Sequence, residues 1–267
     1  MNVHGLIIAL LVFGAVAVHS RAIDDVDNSI EANSEQQQQQ PQSRQNRFEQ
    51  DWIKFTKPPP SKVFQSLGSP VEIVCEVMGS QIPTISWVVG NLPLSELDSM
   101  ESNVISESSP SAIVRVRSVH IVDHMLSEPR TYTCVGRTGP KTVYASTTVY
   151  PQSDLKDLVQ VRDKPFATAL KPKIIYNEKL HLDLVGSNIM LPCKVHSRPR
   201  AEVFWMNGEG KLIEQNHRYK ILPNGDLLIS DIKWEDMGGY KCIARNIHGK
   251  DTADTFIYPV LREESKP

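Results

Sequence analysis

Four cysteines, Cys75, Cys134, Cys193 and Cys242, are the residues of this 267-residue chain best suited to covalent chemistry. Such thiols either ligate a metal or oxidise to disulfides. Zinc sites pair their ligands at short spacing, and here no two cysteines lie that close and no histidine repeats beside them. An even count favours two bridges in an oxidising compartment. Catalytic chemistry finds no foothold, because Gly-x-Ser-x-Gly, His-Glu-x-x-His, the P-loop and the dinucleotide fingerprint are all missing. The eight histidines are scattered, and His124 beside Asp123 has no nucleophile in a recognisable setting. It reads as a solvated surface pair, as does Glu263-Glu264 near the C-terminus. Neither an enzyme, a cofactor nor a metal site is expected.

The compartment is read from the N-terminus. Leu6 to Val18 is an apolar run of thirteen residues, too short for a span of roughly 20. Small-residue cleavage candidates follow at Ala15-Val-Ala17 and Val18-His-Ser20. Residues 1–20 are therefore expected to be a secretory signal peptide. No later stretch is long and apolar enough for a membrane span, and residues 262–267 form a charged tail without the hydrophobic end of a lipid-anchor signal. The mature protein is expected to be secreted, extracellular and unanchored. With 29 Lys+Arg against 31 Asp+Glu, a formal charge of −2 and pI ≈ 6.5, the chain lacks the basic excess of a nucleic-acid binder.

Residues 21–50 are rich in Asp and Gln, with Gln36 to Gln40 unbroken. Few apolar groups offset a backbone ordering cost of roughly 1–2 kcal/mol per residue, so this spacer is expected to be disordered. From about Ser61, turn signals recur and apolar residues alternate. Val71, Ile73, Cys75 and Val77 share one strand face; Ile85, Trp87 and Val89 repeat the pattern, as do Ile189, Leu191, Cys193 and Val195, then Val203 and Trp205. Period-two patterning with regular turns argues for an all-β sandwich. Arg115 and Arg117 are expected to point outward as solvated cations.

The chain also repeats itself. A tryptophan follows Cys75 and Cys193 by twelve residues, at Trp87 and Trp205. Each half then carries an apolar-x-apolar-x-x-apolar strand, at Val114, Val116, Val119 and at Leu227, Ile229, Ile232, and each ends in Tyr-x-Cys, at Tyr132 and Tyr240. The outer cysteines of a half are 59 residues apart in the first repeat and 49 in the second.

Cys, Trp at plus twelve, then Tyr-x-Cys resembles the immunoglobulin fold, twice. The second copy resembles the intermediate set in Gly186-Ser-Asn-Ile-Met-Leu-Pro-Cys193, Asn224-Gly-Asp-Leu-Leu-Ile-Ser-Asp-Ile232 and Asp236-Met-Gly-Gly-Tyr-Lys-Cys242. The first departs from it, with Glu128 for the Asp and Arg130 for the Gly of that corner. The resemblance implies two tandem immunoglobulin-like sandwiches, at 51–150 and 173–261, around an interdomain joint at 151–172. It implies bridges Cys75–Cys134 and Cys193–Cys242, with Trp87 and Trp205 packed on them and Tyr132 and Tyr240 turning back to bond the backbone at the E–F corner.

The whole layout resembles an insect family of secreted two-immunoglobulin-domain proteins that capture insulin-like peptides and antagonise insulin and growth signalling. That resemblance implies insulin-like peptide hormones as partners, blocked from their receptor, with self-association as a second partner mode. The quoted motifs specify the fold, and the ligand comes from the resemblance. Cell adhesion, homophilic or heterophilic, is the alternative function for such domains. No Asn is followed by x-Ser or x-Thr, so no N-linked sugar is expected to interrupt the surface. Apolar residues outside the core pattern are the candidate contacts: Leu92, Leu94, Leu97 and Met100 after the first tryptophan strand, and Leu155, Leu158, Val159 and Phe166 in the joint.

Overall fold

The computed structural model describes residues 51–66, 68–90, 111–151 and 169–261. The expected signal peptide at 1–20, the expected spacer at 21–50 and the tail at 262–267 lie outside the described residues. The first repeat forms β1 (Ile53–Lys57), β2 (Lys62–Gln65), β3 (Val71–Ser80), β4 (Thr84–Val89), β5 (Ile113–Val122), β6 (Arg130–Thr138) and β7 (Lys141–Pro151). The second forms β8 (Leu170–Leu184), β9 (Ile189–Leu191), β10 (Cys193–Arg198), β11 (Glu202–Met206), β12 (Tyr219–Ile221), β13 (Leu227–Ile229), β14 (Gly238–Asn246) and β15 (Gly249–Val260), with a 3-10 turn at Trp234–Asp236.

Alternation places the cores. Val71, Ile73, Cys75 and Val77 are buried along β3, and Val114 and Val116 face them from β5. Ile189, Leu191, Cys193, Leu227, Ile229 and Ile232 do the same in the second sandwich, around Trp205. The β4 pattern differs from expectation beyond Trp87: Val89 is exposed, and Val88 is buried against Val135 on the other face of its sheet. Disulfide Cys75–Cys134 joins the two layers of the first sandwich, and Cys193–Cys242 ties β10 to β14 in the second. Each closes a long loop and so restricts the unfolded chain, worth roughly 4 kcal/mol in the chain-entropy account.

In the first sandwich the layers are β1-β3-β5 and β2-β7-β6-β4. In the second, β12-β13-β9 faces β8-β15-β14-β11, with β10 paired to β8. The two sandwiches are not separate bodies strung on a joint. β5, the edge of one sheet, pairs antiparallel with β8, so that β1-β3-β5-β8-β15-β14-β11 is one continuous sheet. Leu170, Lys171 and Pro172, expected in the joint, already belong to β8.

The seam carries side-chain contacts as well as the ladder. Tyr176 of β8 packs onto the first core. Lys173 pairs with Glu72 of β3 at 2.6 Å, and the Ser111 hydroxyl donates to Asp183 at 3.0 Å. Within β8, fully buried His181 places Nδ1 2.7 Å from Glu178 and Nε2 3.9 Å from Asp183. Burial alone would depress this imidazolium, but the two carboxylates outweigh it and raise its pKa to about 9.

Candidate ligand-binding face

The corner residues show how each half holds its strands. In the second sandwich the Tyr240 hydroxyl donates to the Asp236 backbone oxygen at 3.2 Å, as the motif implies. The buried Asp236 carboxylate in turn accepts from Arg218, from the Tyr219 hydroxyl and from the Lys233 amide. The Trp205 indole donates to Gly225 O at 2.9 Å. The first sandwich has no such corner: the buried Tyr132 hydroxyl finds no backbone acceptor among the described residues. Its ring packs instead on His120, 4.8 Å away, which packs on Trp87, whose indole donates to Ser118. Burial among these rings lowers the His120 pKa. The buried Gln65 side chain supplies the missing fastening, donating to His124 O and accepting from the Leu126 amide. Gln65 has no counterpart in the repeat, so no spacing argument singled it out.

Arg115 and Arg117 correct the expectation of solvated cations. Both ion-pair with Glu76, a β3 carboxylate that is itself buried. Met78 pairs with Arg115, Arg115 with Leu180, and Leu180 with Phe256, in one cross-strand row that passes from the first sandwich into the second. Two residues along, Ile113, Leu182 and Tyr258 form a parallel row. Neighbours at i and i+2 share a face, and the alternate residues Val114 and His181 are buried beneath. Phe256 is 42% exposed and Tyr258 40%, with Trp234, 51% exposed, standing edge-on to Tyr258 at 6.2 Å. The outer face of the shared sheet is thus a largely apolar strip, ordered by backbone pairing and crossed between Met78 and Leu180 by the Glu76-bound Arg115.

Between the sandwiches lies a crevice of about 500 Å³, lined among others by Trp87, His120, Ile175, Tyr176, Met190 and Pro192. It has room for one or two side chains or a small ligand, whereas a folded protein partner needs about 800 Å² of surface per side. The eight candidate contacts read from sequence, Leu92, Leu94, Leu97, Met100, Leu155, Leu158, Val159 and Phe166, lie outside the described residues. The aromatic strip escaped sequence reading because Phe256 and Tyr258 look like ordinary strand residues, and only the β5–β8 pairing joins them to Met78 and Ile113. Among the described residues no cluster of three or more His, Cys, Asp or Glu could hold a metal, and no helix is long and apolar enough to cross a membrane.

Comparison with known proteins places this architecture. Residues 179–257 match the immunoglobulin I-set domain. Over 271 aligned residues, 99% of this chain and 98% of the relative, the sequence is 61% identical to the neural/ectodermal development factor IMP-L2 of Drosophila melanogaster. The crystal structure of neural ectodermal development factor IMP-L2 superposes with a TM-score of 0.72, at 63% identity, over 80% of this chain and 97% of that one. More distantly, the zwei Ig domain protein zig-4 of Caenorhabditis elegans is 26% identical over 74% of this chain and 76% of its own length.

Proposed function

Since the chain belongs to the immunoglobulin-domain family of the neural/ectodermal development factor IMP-L2, we propose that it is a secreted protein that captures insulin-like peptides and keeps them from their receptor. As a member of that family it is a binding module and not an enzyme. The ligand class rests on the resemblance of the whole layout, not on the Cys-Trp-Tyr-Cys motifs, which specify the fold; the single structural observation that supports the mode is the apolar strip across the seam. An insulin-like peptide is a small helical hormone with an apolar receptor-binding face. A rigid strip of Met78, Leu180, Leu182, Phe256, Tyr258 and Trp234 offers such a face a matching surface. Aromatic anchors at the centre of a contact carry most of its energy. A hormone held there has its receptor-binding face covered, which blocks signalling by competition.

Titration calorimetry of the purified protein with an insulin-like peptide tests this. Phe256→Asp with Tyr258→Asp, both on the exposed face, is expected to weaken binding about 30-fold or more with the melting temperature nearly unchanged. Leu158→Asp with Phe166→Asp tests the joint as part of the same contact. Full affinity in both well-folded variants rejects the placement. Absence of any peptide binding, with self-coated beads aggregating, favours adhesion instead.

A further inference from the structure

Three short basic tripeptides, distant in sequence, meet at one end of the second sandwich: Lys171-Pro-Lys173 of β8, Arg198-Pro-Arg200 at the end of β10, and His248-Gly-Lys250 at the β14–β15 turn. One side chain gathers all three. Asn246 donates through Nδ2 to Leu170 O at 2.9 Å and to Pro199 O at 3.1 Å, and its Oδ1 accepts from the His248 amide at 2.8 Å. Arg245, directly paired with Lys250 across the ladder, extends the group. A Cβ placed on Gly249 would lie 3.5 Å from the Lys171 Cβ, so the hairpin end touches β8. Lys171, Arg198, Arg200, Arg245 and Lys250 are all exposed.

The acidic groups nearby, Glu72, Glu202 and Asp251, are outnumbered at this end. Glu202 sits 3.7 Å from Arg245, and Glu72 neutralises Lys173 alone. The Asp251 carboxylate accepts from the Ile174 amide and keeps its charge. Arg200 reaches Pro223 O, an uncharged acceptor. In a chain whose formal charge is −2, five exposed cations at one end, of which Arg245 alone is ion-paired, are a local inversion of sign.

We propose that this end of the second sandwich binds a sulfated polysaccharide chain, such as heparan sulfate, at a site separate from the hormone-binding face. Its cations stand at neighbouring strand ends: Arg198 is paired with Leu170 beside Lys171, the Gly249 end touches Lys171, and Lys250 faces Arg245, so that together they present concentrated positive charge to a polyanion. Guanidinium groups bind the oxygens of a sulfate in pairs, while lysines contribute point charge. Displacement of counterions from the polyanion drives the association and makes it salt-dependent. A lipid bilayer fits less well, because Ile247 is the lone large apolar residue at the turn and inserts too little area to anchor a sheet end. The site depends on secretion only for its access to such chains; binding is a property of the purified protein, so either idea can fail alone.

Heparin-affinity chromatography in 150 mM NaCl and surface plasmon resonance on immobilised heparan sulfate provide the test. The full chain is expected to be retained, and Lys171→Ala with Arg198→Ala and Lys250→Ala to weaken binding about tenfold or more. A matched control, Lys62→Ala with Lys141→Ala and Lys220→Ala, removes the same charge elsewhere and is expected to stay within about twofold of the parent. Affinity for an insulin-like peptide is expected to be equal in all three proteins. No retention of the parent, an equal loss in both triple variants, or preference for phosphatidylserine vesicles over heparin overturns the proposal.

Discussion

His181 shows what one buried ionisable side chain does in the seam. Its folded pKa of about 9 exceeds the ordinary value of 6.5. A group whose pKa is raised on folding stabilises the protein fully below the unfolded value, and that stabilisation is lost as pH rises through the folded one. Unfolding by urea is therefore expected to become easier between pH 7 and pH 10, by an amount on the order of a few kcal/mol. His181→Leu is expected to be less stable at pH 7, because Glu178 and Asp183 lose their cation, and to show a flatter alkaline limb. An unaltered slope in the variant contradicts the assignment. Asp236 teaches the complementary lesson about legibility. The aspartate and Tyr240 stand in a recognisable corner motif, but Arg218 and Tyr219, which bind the same carboxylate, come from a separate segment whose composition marks nothing. A motif names the residues that share a local geometry, and their distant partners carry no such mark.

At the scale of the element, strand positions followed from alternation wherever one face meets a core. β3, β5, β9 and β13 bury the residues that period two selects. The rule loses its force where both faces are covered, as in β4, whose Val88 and Trp87 are each packed on opposite sides. The turn before β13 illustrates a backbone requirement that sequence does signal. Asn224-Gly225 holds Gly225 at φ +94°, and a Cβ there would lie 3.2 Å from Cys193 O and 3.1 Å from a Val203 methyl. Gly225→Ala is expected to cost about 1–3 kcal/mol, from the left-handed backbone and the crowding together. Because Trp205 donates to Gly225 O, its fluorescence is expected to shift to longer wavelength in the variant. A variant as stable as its parent in urea would show that the turn relaxes freely.

At the scale of the whole molecule, the shared sheet makes the two sandwiches one mechanical unit. Their cores are distinct, but the β5–β8 ladder, the Lys173–Glu72 pair and the Ser111–Asp183 hydrogen bond all break if either sandwich opens alone. Hydrogen exchange followed by mass spectrometry across a urea series is expected to show β3 and β14 losing protection at the same denaturant concentration, as in one cooperative transition. Two midpoints would mean that the seam is weaker than its contacts suggest. The same rigidity serves binding, since a surface that is already ordered loses little entropy on association. The two proposed contacts then sit on one frame, an apolar face spanning the seam for the hormone and a basic end on the second sandwich for a polyanion.

Sequence alone determined the fold of each half, because its signals are local or fixed in spacing: alternation along a strand, Trp87 and Trp205 at constant distance from Cys75 and Cys193, and Tyr-x-Cys at the closing strand. A side chain that must reach a core leaves a period, and a bridge that must span two layers leaves a pair. Tertiary structure decided the rest. Which sheet edge meets which is settled by backbone N–H and C=O groups, and these are the same at every residue. The fusion of β5 to β8, and with it the strip from Met78 to Phe256, has no letter in the sequence. The meeting of three basic tripeptides around Asn246 was equally invisible, since each alone is an ordinary solvated turn or strand end.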